Sequence, residues 1–364
     1  MTTLKDVAKA VGCDVSTVSR VLNGRPNRVS GENRSRIREA ALRLGYVANR
    51  TASSLASGVT RTVGLLIPNV FDGVYAEYIE TLDLELSAAG YALRPFICHN
   101  RPEKENTALD ALLHHEVDAM IAMYHNAERC AAQYEVIRRN GLPLIFRSNV
   151  PEVDGVFDCV LLDIDAGYRA LAEHLIERGC RKIGVVGGCA DALQEGRAGA
   201  GADFFRAALQ KAGLAADSRN AVACEDSQEA AYRAVLERLK KEPDAFDGLI
   251  VHNINKVFGC CRAVGDAGLS IPGQVKVATI SDLALCRLYS VPLTVWAQPV
   301  PEICRALVDL TLARLREPDA PCRTVKFHST LLARESTQPT HYNLIVTVKP
   351  NTDIQKCTNH LENA

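Results

Sequence analysis

The chain has 364 residues, 47% of them hydrophobic and 23% charged, with a formal net charge of −1. That length exceeds one ordinary domain, and the composition is that of a soluble globular protein rather than a disordered, fibrous or membrane-spanning one. The charge is unevenly spread: ten Lys/Arg and four Asp/Glu fall within the first 60 residues, an excess of six positive charges, while the rest carries an excess of seven negative ones. A basic head on an acidic body suits a polyanionic partner for the head. The 13 cysteines are odd in number, include no C-x-x-C pair and place Cys260 beside Cys261, which fits neither a disulfide framework nor a zinc site. With no signal-peptide pattern at the start and no apolar run near 18 residues, the chain reads as cytoplasmic, with reduced thiols and no membrane contact.

In chain order, Leu4, Val7, Ala8 and Val11 have helical spacing, and Gly12 stops that helix. Asp14 can cap a second helix, which Gly24 ends. After a loop, Ser30 caps a third, with Ile37, Ala40, Ala41 and Leu44 on one stripe. Residues 1–47 are therefore expected to form an all-α helix-turn-helix head. Residues 48–61 are rich in Ala, Ser and Thr and read as a hinge, in which Leu55 is the one large aliphatic residue apart from Val59.

From Thr62 short apolar runs ("VGLLI", "ALRPFI", "DAMIAM", "LPLIF", "CVLLD", "KIGVVGG", "GLIVH", "VKVATI") alternate with helix-length segments. Continuous apolar strands separated by helices imply parallel sheets covered on both faces, and there are too many for one ordinary sheet. The expected α/β core is two doubly wound lobes over 62–338: an N-lobe of about 62–161 and 293–322, and a C-lobe of about 162–292 and 323–338. Residues 339–364 fit no unit and are left as a tail.

The core lacks the G-x-G-x-x-G, G-x-x-x-x-G-K-[ST] and G-x-S-x-G patterns, and His114-His115 do not sit at i, i+4. No catalytic pairing, cofactor site or metal site is read from it. What remains is a crevice between the carboxyl ends of the strands, where open α/β sheets bind small ligands.

The second helix explains the basic head. A helix that enters the major groove needs short side chains that let its backbone approach, with donors for bases and phosphates. In "DVSTVSRVLN", Val15, Ser16 and Thr17 occupy the first turn, Val18, Val21 and Leu22 pack inward, and Ser19, Arg20 and Asn23 face outward. Sequence-specific DNA binding follows.

The stretch "TLKDVAKAVGCDVSTVSRVLNG…VSGENRSRIREAALRLGYVANRTASSLASG" resembles the DNA-binding head of the LacI/GalR family of bacterial transcription repressors, and the resemblance continues to "LLARESTQP", nine-tenths of the chain. It implies a periplasmic-binding-protein-like core, a homodimer on a pseudo-palindromic double-stranded DNA operator, and a small-molecule effector between the lobes. By position it makes Val15, Ser16 and Arg20 base readers. Thr3, Thr17, Ser19, Asn23, Arg28, Ser30, Asn33 and Asn49 fall at phosphate positions, although the loop before Arg28 reads one residue longer than in the lac repressor. Leu55 matches a leucine that wedges into the minor groove, with Ala52 beside it, and Ala48 replaces the usual proline.

The resemblance places Asp72, Tyr75, Arg147, Ser148, Arg197, Asn253, Ser281 and Gln298 at the effector site. Several depart from the family's pattern: Arg147-Ser148 stand where sugar binders often keep an aspartate, Ser281 replaces another, and the arginine expected at Gly201 is missing, with Arg197 the nearest candidate. Losing carboxylates while keeping arginines favours an acidic effector such as a sugar acid over a neutral hexose. An enzyme working in the crevice, or a solute-binding sensor on the same core, would be the competing classes. Absent catalytic motifs weigh against the first and the basic head against the second.

Overall fold

The protein is described from a computed structural model over residues 2–22, 28–46, 58–123, 130–148 and 155–338. It divides into two compact units that meet between Thr60 and Arg61.

In the first unit, helices α1 (Leu4–Val11), α2 (Val15–Leu22) and α3 (Gly31–Arg43) close around Val7, Ala8, Val18, Val21, Ile37, Ala40 and Ala41. So small a core leans on its helix ends. Thr3 and Asp6 form a capping box at the start of α1, Gly12 closes that helix at φ 66°, and the Ser30 hydroxyl accepts from Asn33 N at 3.4 Å to start α3. Caps of this kind are each worth about 1 kcal/mol. The Thr2 hydroxyl donates to Leu44 O at 2.7 Å and ties the first residues to the end of α3.

The second unit holds two six-stranded sheets. One joins β1 (Thr62–Ile67), β2 (Ala92–Ile97), β3 (Ala119–Ala122), β4 (Leu144–Ser148), β5 (Asp158–Leu162) and β11 (Thr324–Phe327) in the order β11-β5-β4-β3-β1-β2, all parallel. The other joins β6 (Ile183–Val186), β7 (Ala221–Val222), β8 (Gly248–Val251), β9 (Lys276–Ile280), β10 (Thr294–Ala297) and β12 (Thr330–Leu332) in the order β12-β10-β9-β8-β6-β7. Only the β10–β12 pairing is antiparallel.

Helices cover both faces of each sheet, so β3 and β8 are buried at every residue and read as unbroken apolar runs. On the first sheet, α4 (Gly73–Ala88) packs on one side through Tyr78, Leu82 and Leu86, while α5 (Pro102–Leu113) and α6 (Ala131–Arg139) close the other through Leu109, Leu112 and Ile137. On the second, α7 (Ala166–Glu177) and α9 (Ala200–Lys211) lie with the short α8 (Ala190–Gln194) over Ile183, Val185 and Ile250. α10 (Gln228–Lys241), α11 (Ile254–Asp266) and the short α12 (Ala284–Leu288) lie over Val186, Leu249 and Val277. α13 (Val300–Arg316) returns to the first lobe, burying Ile303, Cys304 and Leu307 beside α4.

The chain therefore crosses between lobes three times: after β5, after β10 and after β11. Two expected boundaries are corrected. Residues 294–297, assigned to the N-lobe, are β10 of the C-lobe sheet, where Val295 pairs with Thr279. Residues 324–327, assigned to the C-lobe, are β11 of the N-lobe sheet, where Val325 pairs with Val160. The N-lobe's second segment is thus α13 plus β11, because α13 carries the apolar stripe that the first sheet needs on that face.

Candidate functional site

In the head, α2 buries Val18 and Val21 and leaves its first turn open: Val15 is 39% exposed, and Ser16 and Arg20 are also exposed. Thr17 and Ser19 are half-buried on the flanks, and Lys5, Lys9 and Asp14 border a shallow recess between α1 and α2. Thr3, Arg28 and Ser30 are exposed and Asn33 is half-buried, its Oδ1 accepting from Arg36 at 3.1 Å. One surface of the head thus presents a methyl-bearing side chain, hydroxyls and a guanidinium, which suits the major-groove edges of bases. Asn23, Asn49, Ala52 and Leu55 lie outside the described residues, as does the tail over 339–364.

In the core, the loop ends of the two sheets bring a polar cluster together. Asn69 Oδ1 accepts from the backbone N–H groups of Phe71 and Asp72, both at 3.0 Å, and Asp72 then caps α4 by accepting from Val74 N. Arg147, at the end of β4, is 8% exposed; its guanidinium lies 5.5 Å from the Tyr78 ring centre. It donates to Gln298 Oε1 at 2.6 Å. Gln298 Oε1 also accepts from the Tyr78 hydroxyl at 3.1 Å, and Gln298 Nε2 donates to the Ser281 hydroxyl at 3.0 Å. Ser281 is held at φ 79°, a strained value for a side chain with a Cβ, worth about 1–3 kcal/mol.

The C-lobe contributes Lys256 of α11, 3% exposed, whose Nζ is bonded to Asp226 Oδ1; Asn253 Nδ2 reaches the same oxygen at 3.0 Å. The lobes touch here: a Cβ built on Gly73 would lie 2.3 Å from Leu283 Cδ1. Burial and the nearby Asp226 charge hold Asp72 above the usual carboxylate range, opposed by the Val74 N–H bond and the Lys256 and Arg147 charges. Burial would also raise Asp226, but the bonds from Lys256 and Asn253 outweigh it and leave that carboxyl below its ordinary value. Tyr75 is pushed up to about 12 by burial, so its hydroxyl stays neutral.

Two buried polar atoms in this cluster have no hydrogen-bond partner among the described residues: Arg147 Nε in one lobe and Asn253 Oδ1 in the other. Among the described residues no carboxylate lies within 4.0 Å of the Arg147 guanidinium. Its charge faces Tyr78, Tyr75 and, at longer range, the Asp72 carboxyl, with no anion in direct contact, so an acidic partner at the guanidinium would be favourable.

The lacI family model of bacterial regulatory proteins matches residues 3–49, and the periplasmic binding protein-like domain matches residues 172–337. The chain carries a LacI-type DNA-binding head joined to a periplasmic binding protein-like core. As such it is a DNA-binding transcriptional regulator. Among its relatives, the maltose regulon regulatory protein MalI of Escherichia coli K12 is 29% identical over 346 residues, covering 91% of this chain and 97% of MalI. The transcriptional repressor PurR of Glaesserella parasuis is 28% identical over 354 residues, covering 92% and 98%. Among solved structures, the lac repressor dimer bound to operator and an anti-inducer superposes with TM-score 0.74 at 20% identity, covering 92% of this chain and 99% of that one. The regulator CelR in complex with cellobiose does so with TM-score 0.65 at 23% identity, covering 92% and 100%.

Of the effector-site residues expected from the LacI-family pattern, Asp72, Arg147, Ser148, Asn253 and Ser281 are buried, and Tyr75 and Gln298 are half-buried. Arg197 is corrected: it is exposed on the turn after α8 and paired with Glu195, with 60% of its side chain in solvent. A two-residue ion pair on a surface turn leaves it no reason to enter the core. The arginine missing at Gly201 has a physical counterpart, because a Cβ there would stand 2.6 Å from the buried Tyr168 ring. Tyr168 is stacked on His252, with its hydroxyl 2.6 Å from His252 Nδ1. Restoring the family residue with Gly201→Arg is expected to destabilise the core by about 1–3 kcal/mol through overpacking. Thermal melting would check this, and a smaller side chain at Tyr168 should rescue it.

Lys256, Asp226 and Tyr78 were not anticipated. Lys256 sits in "INKVFGCC", where a lysine reads as helix surface, and its carboxylate partner is 30 positions away.

Proposed function

We propose that the protein is a cytoplasmic repressor that binds a pseudo-palindromic operator as a homodimer and releases or tightens its grip under control of an acidic small molecule, such as a sugar acid, held between the core lobes. The observation that carries the effector reading is Arg147, buried, charged and without a carboxylate within reach, opposite the unpartnered Asn253 Oδ1. A ligand carboxylate would satisfy the guanidinium, and ligand hydroxyls would donate to Asn253 Oδ1 and Asp226. The names of the neighbours support a small ligand in this class of core: one was solved with cellobiose and another with ribose bound. The lac repressor structure, a dimer on operator, supports the pairing of two heads on two half-sites.

The test is a thermal-shift series with D-glucuronate, D-galacturonate and D-gluconate against their neutral parent sugars. Stabilisation by an acid and not by its parent is expected. Stabilisation by the neutral sugars alone would overturn the acidic-effector reading.

For the head, affinity for DNA should fall steeply with salt, each neutralised phosphate adding about 0.9 to the logarithmic slope. A slope near zero between low and physiological salt would be incompatible with this function. Arg20→Ala is expected to lower operator affinity by roughly 1–3 kcal/mol and to relax base preference at one symmetric pair of positions. Equal weakening on every sequence tested would instead make Arg20 a phosphate contact.

A further inference from the structure

Gln298 occupies the second of the three crossings, between β10 in the C-lobe sheet and α13 in the N-lobe. Its carboxamide has both ends committed, each to a different lobe. The oxygen accepts from Arg147 at 2.6 Å and from Tyr78 at 3.1 Å, on β4 and α4; the nitrogen donates to the Ser281 hydroxyl at 3.0 Å, just past β9. Ser281 is fixed in turn by its backbone, since its N–H donates to Trp296 O at 3.0 Å. Three hydrogen bonds, one charge-assisted, therefore run from one lobe to the other through a single side chain that belongs to the connecting strand.

The acceptor that Gln298 offers to Arg147 is a neutral amide oxygen. It fills part of the guanidinium's hydrogen-bonding capacity and brings no negative charge into contact with it, and Nε has no partner among the described residues. A carboxylate is the stronger acceptor for a guanidinium because it supplies two charged oxygens in the matching fork geometry.

We propose that Gln298 is a built-in clasp: its carboxamide stands in for an acid on Arg147, holds the two lobes together through Ser281, and is displaced when an acid takes its place. This rests on the reading that the effector enters between the lobes. Displacing Gln298 frees the crossing strand that carries it, so ligand chemistry at Arg147 becomes a change in how the lobes are joined.

The chain's single tryptophan reports on this directly. Trp296 lies two residues before Gln298, half-buried against Gly167, where an added Cβ would come within 2.6 Å of the indole. The experiment uses the full chain as wild type, Gln298→Ala, Gln298→Glu, Arg147→Ala and the Gln298→Ala/Arg147→Ala double variant. Without ligand, Gln298→Ala and Arg147→Ala are each expected to red-shift Trp296 emission and to enlarge the radius of gyration in solution scattering. The double variant should go no further than either. Gln298→Glu, which keeps an acceptor on Arg147, should stay compact.

With D-glucuronate, D-galacturonate and D-gluconate as probes, removing the competitor in Gln298→Ala should tighten binding by about tenfold or more, while Gln298→Glu should weaken it. An unchanged scattering radius in Gln298→Ala, additive shifts in the double variant, or weaker acid binding in Gln298→Ala would each overturn the clasp. If no acid binds any variant yet Gln298→Ala still opens the core, Gln298 holds the lobes together but its displacement by an acid, and with it the acidic-effector reading, is overturned.

Discussion

Arg314→Met is expected to lower the stability of the core by up to about 3–5 kcal/mol, the range for breaking a buried ion pair, because it leaves the Asp158 carboxylate only the long, 3.9 Å contact of the half-exposed Arg323 guanidinium. Asp158, the first residue of β5, has a side chain only 1% exposed; Arg314 Nε reaches its Oδ2 at 2.7 Å and Arg323 N reaches its Oδ1 at 2.8 Å. The other guanidinium nitrogens are also bonded, Nη1 to Pro318 O at 2.7 Å and Ala320 O at 2.6 Å, and Nη2 to Pro321 O at 3.3 Å. Four hydrogen bonds from one planar guanidinium thus organise the turn that delivers β11 to the edge of the N-lobe sheet. Lysine, with a single ammonium, cannot span these acceptors, so Arg314→Lys should recover little. Urea unfolding of the three proteins decides the matter: a midpoint for Arg314→Met equal to that of wild type would show that the Asp158 charge finds another partner or takes up a proton.

Acidification should weaken the core between about pH 6.5 and pH 4. His174 is 5% exposed, and Nε2 lies 2.8 Å from the Thr337 hydroxyl, which is itself 2.7 Å from the Thr294 hydroxyl. Burial, helped by the Arg178 charge, pushes His174 down to about 4. The folded state therefore keeps the imidazole neutral where the unfolded chain, with a histidine near 6.5, already binds a proton. The associated stability is complete above pH 6.5 and is lost progressively as pH falls towards 4, amounting to about 2–4 kcal/mol at roughly 1.4 kcal/mol per unit. His174→Gln, which can still bond Thr337 but cannot titrate, should remove part of the pH dependence in this window, the remainder coming from His252, which burial likewise pushes down to about 4. Equal slopes for the two proteins would place the acid sensitivity elsewhere.

The strand runs that stood out in the sequence, from "VGLLI" to "VKVATI", are β1 to β6, β8 and β9; the inner strands are apolar because parallel strands buried on both faces have little polar to interrupt them, while β2, at the sheet edge, is largely exposed and carries Arg94. What the sequence could not convey is which sheet a short run joins. "TVWA" and "TVKF" look alike as isolated segments; their partners, Thr279 and Val160, lie 16 and 165 residues earlier in the chain, so composition assigned them to the wrong lobes. The same limit applies to the candidate effector site. Arg147 stands at the end of a strand that is legible in the sequence, and the structure buries it beside Tyr78 and Gln298. Arg197 was chosen for lying near Gly201, but local pairing with Glu195 holds it in solvent. Lys256 was overlooked because only the fold brings Asp226 to it.

The triple crossing also has a temporal side. The N-lobe sheet is finished by β11, which leaves the ribosome after the whole segment between Leu162 and Thr324 has been made. At about 5–20 residues per second, that delay is on the order of ten seconds. Throughout it, β5 is an uncovered edge of an almost wholly apolar sheet, and α13 is absent from the face that Tyr78, Leu82 and Leu86 will bury. An open parallel edge of this kind is a template for pairing with other chains. Its yield on overproduction should therefore depend on translation rate and on chaperone supply more than on the stability of the finished molecule.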